Sequence, residues 1–255
     1  MGRTIVIANQ KGGVGKTTTA INLSACLALK KKRVLLIDMD PQGNASGGFD
    51  IDRASITKTI YDVMLGEAEI GDATVKDVRP KLSVVPSDVN LAATEIQLSD
   101  MEEKNHIIKK EVEKIRDQYD YIIIDCPPSL NILTINAMCA ADTVLVPLQC
   151  EYYALEGLAQ LMQTVKLIQE RENDRLKIEG IVFTMYDGRT NLATEVVKNV
   201  TEHTDRKIYK CIIPRNVRLA EAPSYGMPIT EYDPKSAGAK AYGKLAAKVI
   251  HYRRF

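Results

Sequence analysis

The sequence predicts an α/β fold in which a mainly parallel, twisted sheet carries helices on both faces. Two observations lead to this class. Short runs rich in Val and Ile alternate with helical stretches along the 255 residues, and such alternation favours parallel strands. The runs are apolar throughout rather than at every second residue, which is typical of strands buried on both faces. Because no repeat, low-complexity tract or linker interrupts the pattern, we expect one domain over residues 1–255.

Six apolar runs, from "TIVIAN" to "IEGIVFT", are predicted to form the strands. Helices are predicted where apolar residues recur every three or four positions. The predicted strands are 4–9, 33–38, 82–86, 121–125, 143–148 and 178–184. The predicted helices are 17–31, 56–65, 102–118, 154–170 and 239–250. The stretch 50–81 has the weakest pattern of the chain.

Composition and charge restrict the functional class. Hydrophobic residues make up 45% of the chain and charged residues 26%, as in ordinary globular proteins. No run of about 18 apolar residues occurs, so we expect no membrane-spanning helix. We expect no secretory leader either, because residues 4–9 form a short strand-like run that is followed by glycines. The net charge is only +1, yet residues 202–255 contain 11 Lys/Arg against 5 Asp/Glu. We interpret this part as a basic segment on a slightly acidic body.

The cysteines do not form a recognisable zinc or redox motif. Their number is odd, they are scattered, and no pair has the C-x-x-C spacing. We expect reduced, buried thiols of a cytoplasmic protein. The five are Cys26, Cys126, Cys139, Cys150 and Cys211.

A glycine-rich loop, "NQKGGVGKTTT" (9–19), follows the first predicted strand and opens a helix. Its glycines let the backbone turn N–H groups inward, and the helix N-terminus adds positive potential for a phosphate. Lys16 is expected to reach the β- and γ-phosphates, and the Thr17 hydroxyl to bind Mg²⁺. The loop departs from the general pattern because Gln10 replaces its opening glycine and Lys11 adds a charge.

Two further strands are predicted to end in carboxylates at the same edge of the sheet, where ligands bind in such folds. Asp38 and Asp40 lie two residues apart in "DMDPQGN", so both can approach one Mg-phosphate, or one of them can cap the turn before Pro41. Asp125 ends "IIID", where an unpaired buried carboxylate is costly unless it holds a cation. Together the three strand ends predict a site for a nucleoside triphosphate with magnesium.

These segments resemble the deviant Walker A ATPases of the ParA/MinD group, whose signature is the added lysine of the loop. The resemblance covers essentially the whole chain, is carried by six segments, and is greatest to the small chromosomal ParA proteins called Soj. It implies a P-loop NTPase fold with ATP and Mg²⁺ as ligands. The segments are "KGGVGKTT", "DMDPQGN", "IIIDCPPS", "QCEYYALEGL", "IIPRNVRLAEAPSYGMPI" and "YDPKSAGAKAY".

The resemblance also implies roles for individual residues. Two ATP-bound subunits face each other in this family, and Lys11 contacts the partner's phosphates. Asp40 corresponds to the aspartate that orients the attacking water, so Asp40, Lys11 and Lys16 are the expected catalytic residues, with slow turnover. The expected magnesium ligands are Thr17, Asp40 and Asp125. The expected nucleotide contacts are Lys11, Gly12, Gly13, Val14, Gly15, Lys16, Thr17 and Thr18, with Pro214 and Asn216 at the end of a late strand holding the base.

A switch that associates with DNA is the function that the resemblance implies. The ATP-bound homodimer would bind double-stranded DNA non-specifically, and a centromere-binding partner of the ParB/Spo0J type would stimulate hydrolysis and release it. The protein would be cytoplasmic and nucleoid-associated when ATP-bound. The expected DNA contacts are Arg189 and Arg218, which match basic positions of the family, and Lys240, Lys244 and Lys248, which form one stripe on the last helix.

Two other functions remain open from the sequence. One is an ATPase that positions another cargo, such as a chemotaxis or secretion cluster, on the nucleoid. The other is a membrane-associated division regulator of the MinD type. We expect neither the C-terminal membrane helix of that type nor an N-terminal helix-turn-helix domain, since only "HYRRF" follows the last predicted helix and only three residues precede the first strand.

Overall fold

The computed structural model describes residues 2–251, apart from the side chain of Arg53. Within these residues, seven strands form one sheet in the order β3–β4–β2–β5–β1–β6–β7. Five neighbouring pairs are parallel, and β3 is antiparallel to β4 at one edge. The strands are β1 Arg3–Ile7, β2 Val34–Asp38, β3 Val75–Arg79, β4 Leu82–Val85, β5 Tyr121–Asp125, β6 Thr143–Gln149 and β7 Lys177–Thr184.

Helices of very different length connect and cover the strands. The longest is α7 with 18 residues, followed by α1 and α11 with 14 each. The α-helices are α1 Lys16–Leu29, α2 Asn44–Gly47, α3 Ile60–Met64, α4 Thr94–Gln97, α5 Ile107–Ile115, α6 Ile132–Ala140, α7 Ala154–Arg171, α8 Asn191–Glu202, α9 Val217–Glu221, α10 Ile229–Tyr232 and α11 Ala237–Ile250. Short 3₁₀ turns flank α5 on both sides.

The core has two layers, one on each face of the sheet. Along β1, Ile5 and Ile7 pack among residues of α1 and α11, whereas Val6 between them packs on the opposite face among residues of α5, α6 and α7. All three side chains are fully buried. Both faces of the central strands are therefore apolar, which is why the strand runs lack alternation in the sequence.

The predicted α/β class and its six strands are confirmed, with boundaries that differ by one or two residues. The predicted helix 102–118 is shorter, because 3₁₀ turns replace its two ends. The helices α6 and α8 and the edge strand β3 had not been predicted. The prediction of a late strand that ends at Pro214 was wrong. Residues 208–214 form only two isolated β-bridges, between Ile181 and Ile208 and between Tyr186 and Pro214.

Strand register brings the functional loops together. Asp125 of β5 is the direct neighbour of Ile7 on β1 and of Asp38 on β2. Because the three strands run parallel and end at the same level, the loops that follow them meet at one edge of the sheet.

Among residues 2–251, no helix combines the length and the apolarity that crossing a bilayer requires.

Candidate active site

The glycine-rich loop turns sharply before α1. Gly13 and Gly15 have φ of 74° and 85°, in the left-handed region that side chains disfavour, and Gly15 is the N-cap of α1. The first N–H groups of any helix have no intrahelical partner. Because no side chain caps this helix, these N–H groups can bind an anion. The carbonyl oxygen of Val14 faces inward instead, where it accepts a hydrogen bond from Thr184 Oγ1 (2.8 Å).

Lys16 is held inside the loop rather than in solvent. Its side chain is buried, and its Nζ donates to the carbonyl oxygen of Lys11 at 3.1 Å. Burial lowers the pKa of Lys16, while the negative charges of Asp125 and Asp40 oppose that shift. The ammonium therefore lies between the loop and two carboxylates, where a bound phosphate would complete its surroundings.

Asp125 has the surroundings expected of a cation ligand. It is fully buried, and neither carboxylate oxygen has a hydrogen-bond partner within the part of the chain that the structure describes. Burial raises the pKa of Asp125 well above its usual value, neighbouring Asp38 adds to the rise, and the Thr17 hydroxyl and Lys16 ammonium oppose it. Unpaired carboxylate oxygens beside a hydroxyl are oxygen ligands of the kind that Mg²⁺ prefers, so these residues fit the ion.

Asp38 and Asp40 have different surroundings although they lie two residues apart. Asp38 accepts hydrogen bonds from the Ser46 backbone N–H and hydroxyl, both at 2.7 Å, and from the Asp40 N–H at 3.1 Å. Burial nevertheless raises its pKa to about 6. Asp40 accepts one such bond, from the Gln42 N–H at 3.0 Å, and lines the cleft. Of the two roles weighed for this pair, Asp38 thus fixes the turn, and Asp40 faces the ligand space.

An open cleft of about 620 Å³ lies above the loop. It adjoins a pocket of about 310 Å³, with which it shares Gly15, Thr18 and Met185. Pro214 and Asn216, for which base contacts are predicted, line this second pocket. Thr184, Met185 and Val217, which also line it, had not been predicted, since they belong to no phosphate motif. The cleft is lined by Gly12, Gly13, Gly15, Lys16, Thr17, Thr18, Asp40, Pro41, Gln42, Asn44, Ala92, Pro128 and Met185.

Lys11 does not line the cleft of its own chain. Its Nζ forms an ion pair with the Glu151 carboxylate from the loop after β6. The two side chains are 37% and 44% exposed, so this pair lies at the surface. The backbone N–H of Lys11 donates to Asn9 Oδ1 at 3.0 Å, which fixes the start of the loop. Glu151 had not been predicted, because 140 residues separate it from Lys11.

The predicted DNA contacts fall into two groups. Lys240, Lys244 and Lys248 are exposed along one side of α11, as expected from their spacing. The two arginines are already paired within the chain. Arg189 binds Asp187 through two bonds of 2.8 and 2.6 Å, and Arg218 binds the Glu221 carboxylate at 2.9 Å. The two arginine side chains remain largely exposed, at 88% and 56%.

Comparisons with known proteins agree with this geometry. Residues 2–178 match the AAA_31 family model, described as an AAA domain. The chain is 53% identical to the chromosome partitioning protein ParA of Caulobacter vibrioides, over 99% of this chain and 95% of that protein. It is 50% identical to the chromosome-partitioning ATPase Soj of Treponema pallidum, over 98% of both. The chain belongs to the ParA/Soj family. The family resemblance and the ATPase activity expected from the sequence are thereby confirmed.

A solved structure supports the same fold and ligands. Cobyrinic acid a,c-diamide synthase from Mycobacterium smegmatis, with bound ATP analog and magnesium, superposes with a TM-score of 0.86 over 98% of this chain and 95% of that chain. The two sequences are 34% identical. The doubly covered parallel sheet of this ParA/Soj-family chain is therefore that of an ATP-binding and magnesium-binding protein, as its three strand ends predicted.

Proposed function

We propose that the protein is an ATP-driven switch that binds DNA as a dimer and partitions chromosomes or plasmids. The observation that carries this proposal is the combination of an open phosphate cleft at one end of α1 with an exposed lysine stripe on α11. The two helices pack against each other, and the hydroxyl groups of Thr19 and Tyr242 lie 3.1 Å apart in their buried interface. Relatives named as chromosome-partitioning proteins support the cellular role.

Dimerisation would use the charge of Lys11. Two subunits that face each other with bound ATP would bring strongly anionic phosphates together, and a lysine from each would offset the repulsion. A charge pair at about 4 Å is worth roughly 4 kcal/mol at an effective dielectric of 20, before desolvation is subtracted. Lys11 is 37% exposed and outside its own cleft, which leaves it accessible to a second subunit.

Hydrolysis would depend on positioned charges rather than on a strong base. Lys16 would bind the β- and γ-phosphates, with Thr17 and Asp125 holding Mg²⁺ beside them. Mg²⁺, when bound, would supply charge neutralisation on the phosphates. Asp40, which lines the cleft and accepts a hydrogen bond from the Gln42 N–H on one carboxylate oxygen, would hold the attacking water. Lys11 of the second subunit would stabilise the charge of the transferred group.

DNA would be bound through its phosphates. Lys240, Lys244 and Lys248 project from successive turns of α11, and Arg218 lies on the neighbouring α9. This helix packs tightly on the start of α11, since a Cβ added to Gly238 would lie 2.8 Å from the Leu219 side chain. With few contacts per subunit a monomer would bind weakly, whereas a dimer doubles the phosphates contacted. ATP would thus control DNA binding through the oligomeric state.

A centromere-binding protein of the ParB/Spo0J type is the partner that fits this cycle. It would stimulate hydrolysis by the DNA-bound dimer and so release it from the nucleoid. Positioning of another cargo would use the same nucleotide site with a different partner. The distinguishing measurement is whether a purified ParB-type protein accelerates phosphate release when DNA is present.

The DNA-binding step is tested with the Asp40→Ala protein, which should retain ATP without hydrolysing it. Its affinity for a random-sequence duplex is measured with ATP and with ADP across a salt series. We expect binding with ATP only, and a logarithmic salt slope of roughly −0.9 for each phosphate neutralised. Replacing Lys240, Lys244 and Lys248 together by Ala should remove most of this binding while the ATP-dependent dimer persists.

A matched control separates the stripe from general charge effects. Lys166 on α7 is 74% exposed and lies on the opposite face of the sheet, so Lys166→Ala should leave DNA binding unchanged. A dimer that forms with ATP but binds no DNA would reject the DNA switch. Binding to anionic liposomes in its place would favour the membrane-associated function.

A further inference from the structure

We propose that His106, Cys139 and Glu172 form a binding site for one divalent transition-metal ion of the zinc class. The site lies between the turn before α5, the end of α6 and the residue after α7. One ligand atom from each of the three side chains lies within 4.8 Å of the other two. None of the three takes part in the nucleotide cleft or the lysine stripe, so the proposal does not depend on the proposed function.

The distances and the donor atoms suit such an ion. Around a tetrahedral Zn²⁺ with bonds of about 2.0–2.3 Å, ligand atoms lie roughly 3.3–3.6 Å apart. His106 Nε2 and Glu172 Oε2 are already 3.1 Å apart, so small rotations that bring in the Cys139 sulfur would complete a nitrogen, sulfur and oxygen ligand set. Nδ1 of His106 is buried without a hydrogen-bond partner among residues 2–251, an unusual state for a ring nitrogen.

A buried asparagine fixes the segment that carries His106. Asn136 of α6 is fully buried, and its Nδ2 donates to the Lys104 carbonyl oxygen at 2.7 Å. Its Oδ1 accepts from the Ile108 backbone N–H at 3.2 Å. The turn that contains His106 is therefore held from both sides onto the helix that contains the cysteine.

Two more asparagines fix the other two ligands. Asn173 Nδ2 donates to the carbonyl oxygens of Met138 at 2.9 Å and Cys139 at 3.2 Å, which holds the corner after α7 against the end of α6. Asn105 Nδ2 donates to Glu172 Oε1 at 3.0 Å and leaves Oε2 toward His106. Outer hydrogen bonds of this kind orient metal ligands before the ion arrives.

The ligand types determine which ion the site would select. A thiol and an imidazole favour Zn²⁺ or Co²⁺, whereas Mg²⁺ prefers oxygen ligands in octahedral geometry. Binding would replace the thiol proton of Cys139, which passes to solvent. Cys139 is 1% exposed, while the His106 and Glu172 side chains are 28% and 24% exposed. The ion can therefore enter from the histidine side, and three protein ligands leave one position for water.

Cobalt provides the most direct test, because a Co²⁺–thiolate bond absorbs in the near ultraviolet. The chelator-treated, full-length protein is saturated with Mg²⁺ and ADP and then titrated with Co²⁺. We expect a thiolate-to-cobalt band that saturates at one ion per chain and is displaced by Zn²⁺. Cys139→Ser should abolish the band, and His106→Gln, which removes the nitrogen ligand, should weaken the affinity more than about tenfold.

One control variant and one variant of a positioning residue complete the experiment. Cys26→Ser removes a cysteine that is equally buried but lies on α1, and it should leave the band unchanged. Asn105→Ala should weaken Co²⁺ binding by about 10–100-fold without removing a ligand. Absence of the band in the wild-type protein, or a band that persists in Cys139→Ser, would overturn the proposal. His106 and Glu172 would then form only a polar side-chain contact between the turn before α5 and the end of α7.

Discussion

At the scale of single residues, the three aspartates at the sheet edge differ because their hydrogen bonds differ. Asp38 receives three hydrogen bonds, Asp40 receives one, and Asp125 receives none from the described residues. The carboxylate with most protein donors is committed to the backbone turn. The carboxylate with none is left for a cation, since burying it without a partner is unfavourable.

Replacing Asp125 by Asn should therefore have opposite effects with and without ligand. Without Mg²⁺, the change removes a buried carboxyl group whose ionisation folding disfavours, and we expect a more stable protein at neutral pH because the amide cannot ionise. With Mg²⁺ and ATP, the variant should gain less stability than the wild-type protein because it lacks an ionic ligand. Thermal melts with and without Mg-ATP measure both effects. Equal stabilisation of the two proteins by Mg-ATP would remove Asp125 from the magnesium site.

At the scale of elements, the contact between α1 and α11 joins the two functional surfaces. The hydroxyl groups of Thr19 and Tyr242 are both buried, and each is the other's hydrogen-bond partner. Tyr242 also lines the pocket expected for the base. A helix that starts at the phosphate loop is thus linked by one polar contact to the helix that carries the lysine stripe.

A double-mutant cycle should reveal this link. Thr19→Val or Tyr242→Phe alone leaves one buried hydroxyl without a partner, so each should destabilise the fold by about 1–3 kcal/mol. The double variant removes both hydroxyls, and we expect it to cost less than the sum of the single changes. Chemical denaturation gives the three free energies of unfolding. Strict additivity would show that the two hydroxyls do not interact in solution.

The positive charge of the surface beside the lysine stripe of α11 depends on pH through Lys207. Its ammonium lies 4.2 Å from the centroid of the Tyr209 ring. Partial burial, with added repulsion from Arg3 and Lys248, lowers the pKa of Lys207 to about 8. Cys211 beside them stays a neutral thiol, because burial raises its pKa. Below pH 8 Lys207 therefore adds a positive charge to this surface, and above pH 8 it does not.

DNA affinity should consequently fall between pH 7 and pH 9. Phosphates favour the charged lysine, so binding takes up a proton in this range, and the salt slope should shrink by about 0.9 as one phosphate contact is lost. Lys207→Arg should remove most of this pH dependence, since arginine remains charged. Fluorescence anisotropy on the Asp40→Ala protein with ATP measures both slopes. An identical pH profile in the two proteins would show that Lys207 does not contact DNA.

The sequence predicts some elements much better than others, for physical reasons. Strands β1, β2 and β5 are short, apolar and followed by motif residues, so both their position and their chemistry were accessible. The edge strand β3 has charged residues at three of its five positions and no fully buried residue, so no continuous apolar run marks it. Helix α6 is apolar almost all round and shows little periodicity. Pairs far apart in sequence, such as Lys11 with Glu151 or Cys139 with Glu172, become visible only once the sheet has assembled.

At the scale of the whole molecule, the Lys11–Glu151 pair links the nucleotide loop to the loop that follows β6. Both loops lie at the carboxyl edge of the sheet, next to exposed Tyr152 and Tyr153. In one chain the lysine charge is offset by this glutamate. A dimer that needs Lys11 for the other subunit's phosphates must break the pair, so the pair would oppose dimerisation by a small amount.

Glu151→Gln should therefore favour the ATP-dependent dimer. An ion pair this exposed is worth at most about 1 kcal/mol, and two such pairs break when one dimer forms, so the dimer dissociation constant should fall by no more than about thirtyfold. Lys11→Ala should abolish the dimer, and Glu156→Gln on the first turn of α7 should leave it unchanged. Sedimentation of the Asp40→Ala variants with ATP and with ADP provides the constants. If Glu151→Gln instead weakens the dimer, Glu151 acts across the interface, and the pair with Lys11 prepares the subunit for association.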